Sequence, residues 1–442
     1  MKRAVFITCL IILTNIAAYP QSVNLEQARV LVLANSRSLA RYEMALRSSI
    51  LDERNQLYTM MPQVSADYRA AMSFFRNWEF VNPAEAFSAG ASFSISQIIF
   101  QGGKSFINRA ISKIATESVK LDALAEYFNV LDAADNAYYA VLEAKASLEA
   151  EESSLTVAIL GLSIAEVLHS SGMINPGDYL RAMAEKESRE NSRNQSRRNY
   201  TMMMNRFKTL AGITETAEPE EITFAQYEDV IRHLAAISDE RADALYGDFR
   251  NILLESNPSL AKAVLNTSRA EKSFTLTKRD YAPTISASIF SSDFSFLPEY
   301  NSTGSSGVSI RGTIPVDFWV MNNRIERSRI SRDMSLLEFE NTQNNLEQEL
   351  QNALLNMFSQ AGSVLSSRRS LEYTQSNFEY VMERYRLMQS SVSDLNEATS
   401  MFINSRNSLN RASYSFLQSL SRLRSLCALD DEEKLLEILM RE

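Results

Sequence analysis

The chain has 442 residues, with 45 Lys and Arg against 54 Asp and Glu for a net charge of −9. That balance argues against nucleic acid as a partner. Only 12 Gly and 9 Pro interrupt the sequence, which favours long unbroken elements over a loop-rich fold. Its 2 cysteines are Cys9 and Cys427, too few for a disulfide framework.

In chain order, Lys2 and Arg3, the apolar run Ala4–Leu13 and the small residues Ala17 and Ala18 read as an export signal cleaved near Ala18. Cys9 sits inside the apolar run, which speaks against a lipoprotein. No apolar stretch of about 18 residues follows, so no helical membrane span is expected. The exported chain is then either soluble outside the cytoplasm or crosses a membrane by strands. Residues from about 24 to 60 read as one long helix.

After Pro62 the segment QVSADYRAAMSF (63–74) places Val64, Ala66, Tyr68, Ala70, Met72 and Phe74 on one parity and mostly polar residues on the other. This is the period of a two-faced strand. A second strand is expected at about 88–98, with Ala91, Phe93 and Ile95 alternating with serines. A very long helix runs from about Ser105 to His169. It turns at SSGMINPGD (170–178), where Asn175 is the expected N-cap and Pro176 the first helical residue. The return helix runs to about Ala211 and carries the polar run KESRENSRNQSRRN (186–199), which reads as a solvated face or as the lining of a wet lumen. Met202, Met203 and Met204 read as packing. Residues 213–243, rich in Glu215, Glu218, Glu220, Glu221, Glu228 and Asp229, read as a surface belt.

The second half repeats the first. Ser38-Leu39-Ala40 matches Ser259-Leu260-Ala261, and Pro62 matches Pro283; later, Asp178 matches Asp394 and Leu210 matches Leu426 at a slightly smaller offset. A register held within long segments marks a tandem duplication. It places strands at about 284–295 and 306–316, a helix at about 324–390, a tip at about 389–394, and a closing helix whose heptad seam alternates large and small residues. The longer helices reach roughly 100 Å. The expected division is an export signal (1–18), a first repeat (19–212), an acidic inter-repeat segment (213–243), a second repeat (244–429) and a tail (430–442).

The expected fold is therefore mainly α with a small β part: tandem-duplicated long antiparallel coiled-coil helices plus four membrane-spanning strands per chain. The oily faces carry Val64, Ala66, Tyr68, Met72, Phe93, Ile95, Ile285, Ile289, Val308 and Ile310. Aromatics flank the strands as two interfacial belts, with Phe74, Phe75, Trp78, Phe80, Phe87, Phe294, Phe296 and Tyr300 at one end. Phe100, Tyr281, Phe318 and Trp319 lie at the other. Four strands do not close a barrel, and an open edge is not tolerated in lipid. Spanning strands therefore require an oligomer.

Catalysis has little to work with. His169 and His233 have no Cys or second His at ligand spacing, so no metal is expected. No phosphate loop or nucleophile elbow is present, and no cofactor or enzymatic activity is expected. Cys427 reads as a buried small hydrophobe.

The order and duplication of these elements resemble the TolC-like outer-membrane efflux family. The carrying residues are NLEQARVLVLANSRSLA (24–40), the Met61-Pro62 and Ala282-Pro283 steps, FSISQIIFQGGK (93–104), TIPVDFWVMNNR (313–324), SGMINPGDYLRA (171–182) and SVSDLNEATSMF (391–402). The resemblance implies a homotrimer whose strands form one 12-stranded barrel, continuous with a helical tunnel. It also implies residence in the outer membrane of a diderm bacterium with the helices in the periplasm.

The implied partners are outer-membrane lipid, a periplasmic adaptor (membrane fusion) protein, and an inner-membrane pump or ABC transporter of an efflux or type I secretion system. It further implies a periplasmic gate with an acidic ring at Asp394 and Glu397, and adaptor contacts at Gly172, Met173, Asn175, Asp178, Ser390, Ser391 and Val392. The second tip departs from the family in having Ser390-Ser391 in place of a glycine. Cargo is not legible, since drug, metal or protein export depends on the pump. The alternative is an extracytoplasmic coiled-coil protein of structural role whose strands never meet lipid.

Overall fold

Two passes of helix, strand, strand, long helix, turn and helix follow one another along the chain. The computed structural model describes residues 22–72, 75–76, 79–80, 87–213, 217–294 and 305–441. The expected export signal, Trp78, Phe74, Phe296, Tyr300 and Glu215 lie outside these. The elements are β1 (Ser22–Val23), α1 (Leu25–Asn35), α2 (Arg37–Tyr58), β2 (Gln63–Met72), β3 (Phe87–Phe100), α3 (Lys104–Ser170) and α4 (Pro176–Ala211). They continue with β4 (Glu218–Pro219), α5 (Glu228–Ala235), α6 (Asp239–Ser256), α7 (Pro258–Lys278), β5 (Thr284–Phe294), β6 (Ser306–Thr313), α8 (Phe318–Arg386), α9 (Val392–Leu426) and α10 (Glu432–Met440).

The single opening helix expected at 24–60 is two helices. Ser36 has extended backbone, and its Oγ accepts from the Leu39 amide at 3.3 Å, capping α2. In the second repeat Asn257 has the same extended backbone between α6 and α7, its Nδ2 donates to Leu426 O at 2.8 Å, and Pro258 stands at the first helical position. β2 is described to Met72, residues 73–74 lying outside the described residues; β6 ends at Thr313, short of the expected 316, and α8 begins at Phe318, ahead of the expected 324.

By internal contacts the chain divides into two compact units that each draw on both repeats. The first comprises residues up to Ala40, Leu124–Pro258 and everything from Asn344. Its core joins α1, the middle of α3, α4, α5, α6, α8, α9 and α10 through residues such as Val32, Tyr138, Phe207, Phe249, Met357 and Phe416. The acidic segment is not only a surface belt. Ile213, Ala217, Tyr227, Val230, Ile231 and Leu234 are buried in that core, and β4 pairs in parallel with β1. The Tyr138 hydroxyl donates to Val23 O at 3.0 Å and Glu220 O at 2.7 Å, tying both strands to α3.

At the centre of this unit Asp135 is 0% exposed. Arg29 donates to it from Nε at 2.7 Å and Nη2 at 2.9 Å, while Ser421 Oγ and Arg424 Nη2 each donate at 2.8 Å. Arg29 Nη2 also reaches Glu432 Oε2 at 3.1 Å, and Tyr227 donates to Glu432 Oε1 at 2.7 Å. One carboxylate thus links α1, α3 and α9, and a second joins α10 to them. Burial works against the Arg29 charge, but the hydrogen bonds and field of Asp135 outweigh it and hold the guanidinium above its ordinary value.

Helix α3 contains an 18-residue window of mean hydropathy 1.4, apolar enough to cross a membrane by composition. This differs from the sequence reading. The helix supplies apolar residues to two separate clusters along its length, yet only 22% of that window is buried within the chain, and Ile159, Leu160 and Val167 are exposed.

The second unit comprises Arg41–Ala123 and Ser259–Gln343. It holds an antiparallel sheet in the order β2-β3-β5-β6, so the two hairpins meet between β3 and β5. Pro62 and Pro283 precede the outer strand of the first hairpin and the inner strand of the second, where helical continuation is disfavoured. Two register shifts in the β3–β5 pairing fall between Ala91 and Phe93 and between Ile98 and Phe100.

The repeats also share their turns. Gly172 (φ +72°) and Gly212 (φ +70°) are left-handed, and the equivalent positions in the second repeat are Met388 (φ 59°) and Ala428 (φ 50°). The hydrogen bonds match: Met173 N to Leu168 O and Gln389 N to Arg384 O are both 2.8 Å. The glycine missing from the second tip is thus replaced by Met388, upstream of Ser390-Ser391. A side chain in this region carries a steric cost that glycine avoids.

Met388→Gly and Ala428→Gly are each expected to raise stability by roughly 0.5–1 kcal/mol, and Gly172→Ala to lower it by a similar amount; chemical denaturation gives the ordering. Asp135→Ala, which strands two buried guanidinium groups, is expected to cost about 3–5 kcal/mol in the same measurement.

Candidate functional site

The chain offers two candidate surfaces, one in each compact unit. The first is the pair of helical tips. Both enter one apolar cluster that includes Ala165, Ala182, Met382, Tyr385, Val392 and Leu395, with Ile174 and Tyr179 packed against it. Tyr385 donates to Gly161 O at 3.0 Å. At the first tip His169 stacks on Tyr179 with ring centroids 4.9 Å apart.

The caps of the two tips are built alike and charged differently. Asn175 Oδ1 accepts from the Asp178 amide at 2.9 Å and Asn175 Nδ2 donates to Asp178 Oδ2 at 2.8 Å. Arg181, one turn on, donates to Asp178 Oδ1 at 3.3 Å. In the second tip Ser391 Oγ accepts from the Asp394 amide at 3.1 Å. Asp394 Oδ2 accepts in return from Ser391 N at 2.9 Å and Ser390 Oγ at 3.0 Å. This is a capping box with aspartate at its third position. The residue matching Arg181 is Glu397, so one tip pairs its acid with a base and the other sets a second acid beside it. Asp394 and Glu397 are both exposed. Backbone and side-chain hydrogen bonds from Ser391, then Ser390, hold the Asp394 carboxyl below its ordinary range.

Of the expected contact residues, Met173 is 66% exposed and Gly172, Asn175 and Ser391 are exposed, with Asp178 and Ser390 half-buried. Val392 is not available for contact. It is 6% exposed and packs beneath the turn, where the first turn of α9 needs an apolar anchor. The left-handed Met388, 61% exposed, is a tip residue that the sequence reading missed. Its signal was the repeat register, which sets it against Gly172.

The second surface is one face of the sheet. Val64 lies opposite Ile95, Ile95 opposite Ile289 and Ile289 opposite Val308. These four residues make one apolar row across all strands. Ala66 is opposite Phe93, and Ala287 opposite Ile310. Tyr68, Met72, Ile289, Val308 and Ile310 are exposed, as are Ala66 and Phe93, whereas Ile95 and Ile285 are half-buried. The other face carries a hydroxyl lattice: Ser65 bonds Ser94 at 2.7 Å and Ser288 bonds Ser309 at 2.8 Å. Past the sheet, Tyr281 stacks on Phe318 and donates to Asn322 at 2.7 Å, while Trp319 is exposed. Phe75 lies in a two-residue strand (Phe75–Arg76) paired with Glu79–Phe80, Phe87 in β3 and Phe294 in β5, and the side chains of these three are outside the described residues.

Among the described residues no group of three or more His, Cys, Asp or Glu is arranged to hold a metal. Cys427 is buried, and desolvation pushes its thiol up to about 12.

A family described as outer membrane efflux protein matches residues 250–428. Solved structures resemble nearly the whole chain. The CmeC outer membrane channel of Campylobacter jejuni is 16% identical, with a TM-score of 0.73 over 93% of this chain and 88% of its own. The outer membrane protein VceC of Vibrio cholerae is 13% identical, with a TM-score of 0.72 over 91% of this chain and 95% of its own. CusC, solved in a study of folding and transmembrane channel formation, is 15% identical with a TM-score of 0.74 over 93% and 95%. A search of curated protein sequences finds no match.

The Asp394 cap gives a pH dependence. Its folded-state value lies below the unfolded one, so the cap is complete above about pH 4 and is lost as pH falls through the lower value. Hydrogen-exchange protection of the Ser391 amide is expected to drop below about pH 4, and Asp394→Asn to remove that step.

Proposed function

We propose, from the match of residues 250–428 to the outer membrane efflux protein family and a fold like that of solved outer-membrane channels, that this chain is the outer-membrane exit duct of a tripartite export system. It passively conducts substrates delivered by an inner-membrane pump. The observation that carries this reading is the sheet. A row of apolar side chains, exposed except for the half-buried Ile95, spans all four strands, the opposite face is mostly serine with Phe290 among them, and β2 and β6 are the edges of the described sheet. A surface oily on one side and wet on the other fits a wall between lipid and water. Its edges require closure by further copies.

The working unit is then a homotrimer sharing one twelve-stranded barrel, set in the outer membrane of a diderm bacterium with its helical part in the periplasm. The tips contact an adaptor protein through Gly172, Met173, Asn175, Asp178, Ser390 and Ser391. Asp394 and Glu397 from each copy form an acidic ring at the periplasmic mouth, which favours cations. Asp394 has a second role as the helix cap, and Glu397 is the better measure of the ring alone. The chain performs no chemistry and holds no cofactor. Choice of cargo, whether drug, metal ion or secreted protein, rests with the pump.

Planar-bilayer recording of the purified mature protein tests this. Small cation-selective openings are expected. Glu397→Gln is expected to lower the cation-to-anion permeability ratio severalfold, and Asp394→Asn/Glu397→Gln to lower it further. No insertion from a folded, oligomeric preparation would move the chain to a structural role outside lipid.

A further inference from the structure

The described sheet leaves β2 and β6 as open edges, and on the serine-rich face β6 carries Arg311 while β2 carries Asp67 and, two residues on, Arg69. Asp67 lies two residues along β2 from Ser65, and Arg311 two residues along β6 from Ser309. Both are exposed, and neither has an ion-pair partner among the described residues. We propose that Asp67 of one copy and Arg311 of the next form an ion pair across the β6–β2 seam, fixing the register in which a barrel of several copies closes. The inference rests on the duct reading above.

The register follows from barrel geometry. Gln63, Ser96, Ser288 and Ser309 form one row through three bonded pairs. A fourth step leads to β2 of the neighbouring copy. Strands about 4.8 Å apart and tilted by about 35–45° climb roughly four to six residues over four steps. The climb must run up β2, because the residues below Gln63 are Pro62, a turn and helix α2. It must also be an even number, since an odd one would turn the oily face inward.

A climb of six sets Ser309 against Arg69 and Arg311 directly against Asp67. On the opposite face it sets Ile310 against Tyr68 and Val308 against Ala70, so both faces match. A climb of eight would set Arg311 against Arg69, and like charges directly opposite are unfavourable. A climb of four leaves Arg311 facing Ser65 and reaching Asp67 only diagonally. Charge complementarity therefore selects six.

A charge-swap cycle on the full mature protein tests the seam, read as the temperature at which the purified oligomer dissociates to monomer. Asp67→Arg and Arg311→Asp are each expected to lower it by about 5 °C, and the double swap to recover most of the loss. A second set does not depend on the single variants folding well. Asp67→Cys/Arg311→Cys is expected to give an oxidant-dependent interchain cross-link, stronger than Ser65→Cys/Arg311→Cys or Arg69→Cys/Arg311→Cys. Preferred cross-linking at residue 65 or 69, or a double swap no better than the singles, would overturn the seam while leaving the oligomeric duct standing. A folded protein that is monomeric throughout would overturn both.

Discussion

A backbone amide or carbonyl facing hydrocarbon without a partner costs several kcal/mol, and this constraint organises the strand-bearing unit. Within one chain β3 and β5 are paired on both sides, and β2 and β6 on one side only. The apolar row Val64, Ile95, Ile289 and Val308 lies across the whole sheet, so every strand offers an oily side chain at the same level. Neither property is useful to a soluble monomer. Together they are what the proposed duct requires of a wall segment that further copies complete.

The helical unit solves a different problem: how to hold long helices in register around polar groups. Asp135, on α3, accepts from the Arg29 guanidinium of α1 and from the Arg424 guanidinium and Ser421 hydroxyl of α9, which consumes its hydrogen-bonding capacity at full burial. Such a hub contributes less net stability than an apolar core of the same volume. Its value lies in direction, because the forked geometry of Arg29 and Arg424 admits few arrangements. The C-terminal helix α10 enters the same network through Glu432. Without that link it would be held by its apolar face alone.

Much of this was legible in the sequence because the relevant signals are local or periodic. The parity of QVSADYRAAMSF marked β2, Asn175-Pro176 marked the start of α4, and the internal repeat located the second hairpin from the first. Features that depend on contacts between distant residues were not legible. Nothing in the acidic segment announced that Tyr138 would bind its backbone, or that Ile231 and Leu234 would join the main core. The break at Ser36 was missed because serine is an acceptable helix residue whose capping role depends on backbone conformation. Val392 looked like a surface residue by its place in a turn, yet the first turn of a packed helix needs an anchor. The left-handed Met388 was hidden because methionine rarely adopts that conformation. The proposed entrance acids could be located by register, but only the structure showed Asp394 engaged by Ser390 and Ser391 and, at the other tip, Arg181 paired with Asp178.

The burial of Cys427 has a practical side. Its sulfur is enclosed by α9 and the elements packed around it, and its proton is held firmly, so little thiolate exists near neutral pH. Beyond residue 9 no other native thiol occurs. A chain cleaved at the expected site near Ala18 would thus be nearly silent toward maleimides and mild oxidants. A spectroscopic label placed at either tip or on a strand would report from that position alone, without first rebuilding the protein as a cysteine-free version.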